Sequence, residues 1–408
     1  MFYDARDTRS HAEREKELFA LLPQQVAHAK AAAPFYSELF AGVDALSIDS
    51  RAALASLPVT RKSELVERQR TRRPFGGLNA TPPARLARIF MSPGPIYDPE
   101  GREPDYWRTS RALFAAGFRS GDVALNCFSY HFSPAASMFE TGLHHLGCAV
   151  IPGGTGQTEM QVRAIQDLEP AGYVGTPSFL KIILEKADEM NVSCDSLKRA
   201  AVSGEAFMPA VREFLAQRDI AAYQGYGTAD LGVIAYETEA REGLVVNEDM
   251  IVEIVRPGTG DPVPDGDVGE VVVTTFSRAY PLVRFATGDL SAVMPGPSPC
   301  GRTNLRIRGW MGRADQATKV RGLFVHPHQV AEVLRRHGLA RGRLVVGNEA
   351  GEDRMTLRIE REGGADADLA ARVEATLRDV AKLRGEVRFE APGSLPNDGK
   401  IIEDSRTY

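Results

Sequence analysis

The chain has 408 residues, of which 43% are hydrophobic and 25% charged, and its formal net charge is −5. This length suits two domains or one large domain with a cap, and the slightly acidic balance argues against a nucleic-acid surface, which needs a basic footprint. No apolar run is long enough to span a bilayer, the charged N-terminal stretch lacks a signal core, and the four cysteines form no CxxC pair. We therefore expect a cytoplasmic protein with reduced thiols that contacts neither membrane nor nucleic acid.

An amphipathic helix is predicted at 9–32, because apolar residues recur there at helical spacing between charges. A second helix is predicted at 104–119, with Trp107, Leu113 and Phe118 on one side. From residue 122 onward, strand and helix signals alternate. Strands are predicted at 122–128, 147–152, 171–175, 199–205 and 220–223, and helices at 135–146, 158–168, 177–189 and 209–217. This alternation predicts an α/β domain with mainly parallel sheets and covering helices.

The character of the chain changes after residue 237, where segments 243–255 and 265–276 predict a β-rich subdomain. Further on, a compact α+β unit is predicted. Its helices are expected at 326–337 and 366–383, and its strands at 342–348, 355–360 and 386–391. No Ser/Gly/Pro linker precedes this unit, which favours a hinge over a flexible tether. We predict a large N-terminal domain over residues 1–313 and a small α+β C-terminal domain over residues 314–408.

The stretch YQGYGTADLGVIAYE (223–237) carries the first chemical signal. It is predicted as a short strand that breaks at Gly225 and Gly227 and continues into a loop at a sheet edge, where open α/β folds place ligands. Tyr226 offers a ring for stacking, Thr228 a hydroxyl and Asp230 a hard oxygen ligand for Mg²⁺. The same residues also suit a tight turn with a buried tyrosine, and the residues alone leave both interpretations open.

This stretch resembles the loop that binds adenine and magnesium in the adenylate-forming superfamily, and within it most resembles the phenylacetate–CoA ligase family. The resemblance runs through the chain in order from about residue 34 to residue 402. The family loop usually ends in Glu, where this chain has Asp230, which is one methylene shorter and has the same charge. The resemblance implies that Tyr226 stacks on adenine and that Gly227 allows close approach. It also implies that Thr228 and Asp230 belong to the catalytic centre and that Asp230 is the metal ligand.

The segment MSPGPIYDPEG (91–101) stands where the family has a Ser/Thr/Gly-rich phosphate loop that ends in Gly-Lys. Such a loop points backbone N–H groups at the phosphates, and Pro93 and Pro95 have no N–H to offer. No lysine is present in the segment, so Ser92 and Gly94 are the remaining candidates for phosphate contacts. This departure leaves open a binding module that keeps an adenylate pocket and has lost ATP turnover.

Two βα loops, 129–140 and 153–159, resemble the pocket for an aromatic acid and its rim in the family. Without the resemblance, the simpler interpretation is a pair of ordinary βα loops with a threonine capping the following helix. His131, His144, His145 and Cys148 lack the paired spacing of a zinc site. The candidate pocket residues are Tyr130, His131, Phe132, Phe139, Gly154 and Gly225.

Two further segments match motifs that surround the nucleotide in the superfamily. Ser203, Gly204 and Glu205 match a segment that flanks adenine mostly with its backbone. YPLVRFATGDL (280–290) matches the motif whose aspartate, here Asp289, accepts both ribose hydroxyls, although Gly-Asp pairs also close ordinary hairpins.

The C-terminal part supplies the remaining implied residues. GWMGRADQATKVRGLFVHPHQV (309–330) resembles the junction with a mobile lid domain, so that Arg313 would reach the ribose or a phosphate and Asp315 would be the hinge. Gly322 would let the lid pass close to the pantetheine arm. Lys400 matches the terminal catalytic lysine of the family, whereas an isolated lysine near a C-terminus is usually solvated.

Many relatives carry a Cys/His zinc site that ends in CxCGR. Cys300 survives here, but Ser298 stands where the other cysteine of that motif would be, so no zinc is expected. The resemblance as a whole implies an enzyme that uses ATP, Mg²⁺ and CoA to activate a small aromatic carboxylic acid, phenylacetate-like or benzoate-like. An enzyme that loads a carrier protein is the alternative within the superfamily, and a homodimer is possible in either case.

Overall fold

The computed structural model describes residues 1–311, 313–314, 318–321, 323–325, 327–349, 352–363, 366–396 and 400–406. The chain divides into two compact units. The larger unit comprises Met1–Thr287 and Ser291–Trp310, and the smaller comprises Gly288–Leu290 and Met311–Tyr408. No helix among the described residues is long and apolar enough to cross a membrane.

The first long helix begins where the sequence supplies a capping box. The side chain of Ser10 accepts a hydrogen bond from the Glu13 backbone, and the Glu13 carboxylate accepts one from the Ser10 backbone. The helices of the larger unit are α1 (His11–Ala32), α2 (Pro34–Leu39), α3 (Arg51–Ala55), α4 (Leu65–Thr71), α5 (Ser110–Ala115), α6 (Ala135–Leu146), α7 (Thr158–Leu168), α8 (Pro177–Met190) and α9 (Pro209–Ala216).

The strands up to residue 310 form one large sheet and one separate hairpin. They are β1 (Thr60–Arg61), β2 (Arg88–Ser92), β3 (Ile96–Glu100), β4 (Val123–Asn126), β5 (Ala149–Ile151), β6 (Gly172–Gly175), β7 (Arg199–Val202), β8 (Ala221–Thr228), β9 (Gly232–Tyr236), β10 (Leu244–Val246), β11 (Met250–Val255), β12 (Val268–Thr275), β13 (Phe285–Met294) and β14 (Arg306–Ile307). The sheet order is β11-β12-β13-β14-β10-β9-β8-β7-β6-β4-β5, with β1 beside β13, while β2 and β3 pair only with each other.

One half of the sheet is parallel, from β5 through β4, β6 and β7 to β8. Helices α6 to α9 connect these strands, and β6 is buried along its whole length. Burial on both faces is what a parallel strand between layers of helices requires. Leu125, Val162, Tyr173, Ile183 and Leu215 belong to the core on the α7–α9 side. The predicted α/β fold with covering helices is therefore confirmed.

From β8 onward the sheet is mostly antiparallel, as in the β9–β10, β11–β12 and β13–β14 pairs. The segments predicted as a β-rich subdomain supply β10, β11 and β12, so this prediction is also confirmed.

The smaller unit is an α+β layer. Its elements are β15 (Thr318–Val320), β16 (Leu323–Val325), α10 (Pro327–Arg336), β17 (Arg341–Glu349), β18 (Glu352–Glu360), α11 (Ala367–Ala381), β19 (Glu386–Glu390) and β20 (Ile402–Asp404). The main sheet has the order β19-β18-β17-β20. Val330 and Val333 of α10 pack with Val373 and Leu377 of α11 in one core with the sheet.

The helix predicted at 104–119 is much shorter, because only α5 forms. Asp105 and Arg108 have φ angles of 50° and 59°, which a right-handed helix does not allow. The Asp105 carboxylate then accepts hydrogen bonds from the backbone N–H groups of Thr109 and Ser110 at 2.8 and 3.1 Å. These bonds stabilise the start of α5 at this point.

The strand predicted at 220–223 is longer than expected, since β8 continues through both glycines to Thr228. It pairs with β9, with an irregularity between Tyr226 and Gly227. A side chain at Gly227 would lie 2.4 Å from the Gly232 carbonyl oxygen, so glycine is needed for the close approach of β9. The predicted break at Gly225 and Gly227 is therefore wrong, because both glycines lie within β8, and the loop is the short turn at 229–231 that follows the end of this strand.

Candidate active site

Asp230 occupies the turn between β8 and β9 and is almost completely buried. The ammonium of Lys62 donates a hydrogen bond to its Oδ2 atom, while Oδ1 has no hydrogen-bond partner among the described residues. A buried carboxylate oxygen without a partner is costly unless a ligand completes it. Asp230 therefore fits a metal ligand, as the sequence predicts.

A second carboxylate lies next to Asp230. Asp98 on β3 is fully buried, and within the part of the chain that the structure describes neither of its carboxylate oxygens has a hydrogen-bond partner. Burial and the neighbouring Asp230 carboxylate raise the pKa of Asp98 well above its ordinary value, and Lys62 opposes this rise. Two buried carboxylates and one ammonium thus meet where the hairpin, the β8–β9 turn and the segment after β1 come together.

Sequence reasoning missed both Lys62 and Asp98. Lys62 lies outside every motif that the sequence offers, and Asp98 lies in the segment whose predicted phosphate contacts are Ser92 and Gly94. Their charge was the only feature in the sequence that could have pointed to them. Lys62 and Asp230 are 168 residues apart in the chain, so their contact cannot be read from sequence spacing.

The segment expected to bind phosphate is a tight hairpin. β2 pairs with β3 from Arg88 opposite Glu100 to Ser92 opposite Ile96, which leaves Pro93–Pro95 as the turn. The Ser92 hydroxyl is buried and donates to the Ile96 carbonyl oxygen at 3.4 Å. Gly94 is exposed and has a φ of 152°, which favours glycine. Their predicted contact with phosphate stays a prediction.

Tyr226 lies on β8, and Ser203 directly follows the neighbouring strand β7. Tyr226 is buried, and its hydroxyl donates to the Thr287 hydroxyl at 3.4 Å. The Ser203 hydroxyl donates to the Gly225 carbonyl oxygen at 2.8 Å, which ties the end of β7 to β8. The hydroxyl of Thr228 accepts a hydrogen bond from the Leu231 backbone inside the β8–β9 turn.

The Ser203–Glu205 segment also contacts the neighbouring helix α8 and lies close to the ring of Phe128. Glu205 is exposed, and its carboxylate accepts a hydrogen bond from the Ser178 backbone in the first turn of α8 at 2.8 Å. A negative charge in that position is favourable, because it offsets the positive end of the helix. A side chain at Gly204 would meet the ring of Phe128 at 3.7 Å.

The predicted acid-pocket residues divide into two sets. Phe139 is buried and stacks on Phe128, with ring centroids 5.0 Å apart. Tyr130, His131 and Phe132 are exposed. Phe128, which joins Phe139 to Gly204, was not singled out from the sequence, although it ends the predicted strand 122–128.

Tyr130, Gly154 and Gly225 also belong to the predicted acid-pocket residues. The Tyr130 hydroxyl donates to the Glu140 carboxylate at 2.6 Å, and burial together with this contact raises the pKa of Tyr130. A side chain at Gly154 would lie 3.9 Å from the Tyr130 ring. A side chain at Gly225 would meet no atom within 4 Å, so this strand position faces open space.

Asp289 and Arg313 pair with each other. The Arg313 guanidinium donates to the Asp289 carboxylate at 2.9 Å, and the two residues form an isolated antiparallel bridge. Lys400 is exposed and precedes β20. The predicted hinge residue Asp315 and Gly322 lie outside the described residues.

The region of the family's zinc site holds a different set of contacts. The Ser298 hydroxyl lies 3.1 Å from the Cys300 sulfur, and Arg302 donates to the same sulfur at 3.5 Å. Burial raises the pKa of this thiol, but hydrogen bonds from Ser298, Thr238 and Arg302 outweigh it and lower the pKa below its ordinary value. Across the described ranges, no group of three or more His, Cys, Asp or Glu side chains could hold a metal ion. The expectation that the protein uses no zinc stays a prediction.

Comparison with known proteins supplies the context for this site. The family model for AMP-binding enzymes matches residues 106–277. A phenylacetate–coenzyme A ligase of Thermus thermophilus is 32% identical, over 95% of this chain and 94% of its own length. One from Aromatoleum evansii is 33% identical, over 77% of this chain and 73% of its own length.

Solved structures give the same result. A 2-hydroxyisobutyryl-CoA ligase in complex with 2-HIB-AMP and CoA superposes with a TM-score of 0.77 at 25% identity, over 98% of this chain and 91% of that one. An amide bond synthetase from Marinactinospora thermotolerans, at 19% identity and a TM-score of 0.52 over 93% of this chain and 81% of its own, shares the fold. The chain belongs to the phenylacetate–coenzyme A ligase family of adenylate-forming enzymes.

Proposed function

We propose that this protein is an AMP-forming acid–CoA ligase that activates a small aromatic carboxylic acid as its acyl-adenylate and transfers the acyl group to CoA. The observation that carries the proposal is the buried Asp230 on the β8–β9 turn, which directly follows Tyr226 and Thr228. One oxygen of this carboxylate has no hydrogen-bond partner among the described residues, which supports a metal ligand at this position of the family motif.

Mg²⁺ fits the donor set at Asp230, because a carboxylate oxygen is the ligand that this ion prefers. When bound, the ion would neutralise charge on the phosphates of ATP. The Lys62 ammonium donates a hydrogen bond to the same carboxylate. When the ion binds, the ammonium would either move away from Oδ2 or remain next to the ion.

The nucleotide roles follow from the residues around β8. The Tyr226 ring would contact adenine, and the backbone of Ser203, Gly204 and Glu205 would border it. The Ser203–Gly225 hydrogen bond supports this assignment, since it fixes the Ser203 loop against β8. Ser92 and Gly94 of the hairpin turn would lie near the phosphates.

Asp289 would accept the ribose hydroxyls, and Arg313 would contact the ribose or a phosphate. Their mutual hydrogen bond supports this assignment, because it holds the carboxylate in place before the nucleotide arrives.

The acid would lie against Phe128 and Phe139 on one side and Gly225 on the other. Aromatic rings suit an aromatic acid, since ring–ring contacts add to the free energy of burial. The open space at Gly225 supports a pocket there. Tyr130, His131, Phe132 and Gly154 would form its rim.

Lys400 would bridge the acid carboxylate and the α-phosphate during adenylation, and its positive charge would offset the charge that develops on the phosphate oxygens. The C-terminal domain, from about residue 314, would then rotate about Asp315 so that the CoA thiolate reaches the acyl carbonyl. The acyl–phosphate bond breaks, the thioester bond forms and AMP leaves.

The hairpin turn at Pro93–Pro95 favours a second candidate, an adenylate-binding module without ATP turnover, because this turn offers few backbone donors. A panel of aromatic acids incubated with ATP, Mg²⁺ and CoA distinguishes the two. Acid-dependent thioester formation, detected by mass spectrometry, supports the ligase and identifies its substrate. Transfer to a carrier protein, with none to CoA, would instead identify a carrier-loading enzyme.

A further inference from the structure

Four buried oxygen atoms that have no hydrogen-bond partner among the described residues belong to three side chains that act on one another, at the β2–β3 hairpin, the β8–β9 turn and Tyr280. They are both carboxylate oxygens of Asp98, Oδ1 of Asp230 and the phenol oxygen of Tyr280. The exposed fractions of these three residues are 0%, 5% and 1%. Asp98 and Asp230 each interact electrostatically with the Tyr280 phenol, as well as with one another, so the three groups form one cluster.

When both carboxylates are ionised, this cluster contains two negative charges and Lys62 as the positive charge paired with one of them. Lys62 pairs with Oδ2 of Asp230, and the side chain of Asp230 is 0% exposed in this pair. The ammonium also acts on Asp98, but it donates no hydrogen bond to either Asp98 oxygen. Buried charges are normally paired or coordinate a metal ion, and buried polar atoms are normally hydrogen-bonded. Three carboxylate oxygens here meet neither condition.

We propose that Asp98 and Asp230 together form a divalent-cation site, in which Asp98 is a second carboxylate ligand and the Lys62 ammonium occupies part of the site when no metal is bound. This inference rests on the proposed function, which assigns the metal to Asp230.

The donor set suits Mg²⁺ or Mn²⁺. Mg²⁺ is usually bound by one or two carboxylates plus waters and substrate phosphates, and Mn²⁺ accepts the same oxygen ligands. Two carboxylates from different segments would meet this requirement and leave positions for phosphate oxygens. The Tyr280 hydroxyl can donate a hydrogen bond to a carboxylate oxygen that the ion does not use.

The proposed site also gives the β2–β3 hairpin a role in phosphate binding. Pro93 and Pro95 cannot donate backbone N–H groups to phosphates, and the hairpin contains no lysine. Asp98 stands three residues after Pro95, on the strand that leaves the turn. The hairpin would thus contribute to phosphate binding indirectly, because the Asp98 carboxylate would bind the metal ion that contacts the phosphates. Backbone N–H donors would not be needed for this role.

Binding of Mn²⁺ to the full-length, nucleotide-free protein tests this directly, because the electron paramagnetic resonance signal of free Mn²⁺ falls as the ion binds. The wild type is expected to bind one Mn²⁺ per chain. Asp98→Asn should weaken binding by about ten-fold or more, the scale seen when even the outer partners of a metal ligand are removed. Glu100→Gln, a buried carboxylate change on the same strand with its own partner Arg88, should change the affinity less than about two-fold.

Lys62→Met provides a second variant, which removes the competing ammonium and should bind Mn²⁺ more tightly than the wild type. Equal affinity in Asp98→Asn and the wild type, or no binding to the nucleotide-free wild type, would overturn the proposal. If Asp98→Asn does not fold, the Lys62→Met variant decides: tighter binding supports the site, and unchanged or weaker binding overturns it.

Acid-dependent thioester formation is measured separately on the wild type, so the two proposals fail independently. Thioester formation without any effect of Asp98→Asn on Mn²⁺ binding rejects the two-carboxylate site alone. If Mn²⁺ binding depends on Asp98 but no acid is converted to a thioester, the two-carboxylate site is supported and the proposed ligase activity is rejected.

Discussion

The Nη1 atom of Arg313 donates a hydrogen bond to Oδ1 of Asp289 over 2.9 Å, across a bridge between two segments that are 24 residues apart. The glycine before the aspartate makes this contact possible, since a side chain at Gly288 would lie 2.4 Å from the same guanidinium. Gly288 also has a φ of 77°, which other residues rarely adopt. The pair therefore depends on a local backbone conformation that the Thr-Gly-Asp motif encodes.

Asp289→Asn should raise the KM for ATP by about ten-fold or more. The reason is that a hydrogen bond to a charged group contributes about 1.5–3 kcal/mol, and the neutral amide cannot accept both ribose hydroxyls as strongly. Steady-state kinetics with saturating acid and CoA measure this change. Asp122→Asn is the control, because Asp122 also pairs with an arginine, Arg199, at 2.6 Å but lies at the start of β4. Equal rises in KM for the two variants would contradict the assignment of Asp289 to the ribose.

Gly225→Ala should weaken acid binding while leaving ATP binding and the melting temperature nearly unchanged. The added methyl group meets no protein atom within 4 Å, so it would project into the proposed pocket. One methyl group in a pocket is worth about 1–3 kcal/mol, which is about ten-fold or more in the KM for the acid. Gly42→Ala is a matched control, since a side chain there also meets nothing within 4 Å and the backbone conformation is ordinary. An unchanged KM for the acid in Gly225→Ala would place the pocket elsewhere.

Lys400→Ala should slow adenylation by about two to three orders of magnitude, because it removes a positive charge from the developing charge on the phosphate. Thioester formation from a pre-made acyl-adenylate should change little, since that step does not use the lysine. Lys382→Ala is the control: its side chain is 73% exposed in the same unit and pairs only weakly with Asp379. Near-normal adenylation in Lys400→Ala would remove this lysine from the mechanism.

Cys300 should react with iodoacetamide at a lower pH than Cys194. Hydrogen bonds from neighbouring groups lower the pKa of Cys300, whereas burial raises the pKa of Cys194 to about 11. The thiolate is the reactive form, so a lowered pKa increases the thiolate fraction at any pH below 9, and a raised pKa decreases it. Peptide mapping by mass spectrometry after short exposures between pH 7 and pH 9 measures both sites in one sample. Faster modification of Cys194 in this range would show that the contacts of Cys300 do not act as described.

Much of the fold could be predicted because each element of the parallel half carries its own local signal. α6 and α7 have the predicted bounds, and α8 begins at Pro177 as predicted. Pro177 at the first helical position and the Thr176 cap are both visible in the sequence. The helix predicted at 104–119 failed because apolar spacing does not reveal that Asp105 and Arg108 adopt positive φ angles.

The site was predicted less completely, because its polar contacts join distant segments. Asp230, Asp289 and Arg313 were found through motifs that the family shares. Lys62 and Asp98 belong to no such motif here, and only folding brings them to Asp230. Phe128 was missed for the same reason, since its stacking on Phe139 depends on how α6 packs against β4.

Acid-dependent exchange of pyrophosphate into ATP, measured without CoA, tests the proposed activity most directly. The reaction requires reversible formation of an acyl-adenylate at this site and needs neither the thiol nor the second half of the reaction. We predict exchange that depends on an aromatic acid and on Mg²⁺ and that falls strongly in Lys400→Ala. No exchange with any acid, together with tight binding of a pre-made aryl-adenylate, would contradict the account and identify an adenylate-binding module.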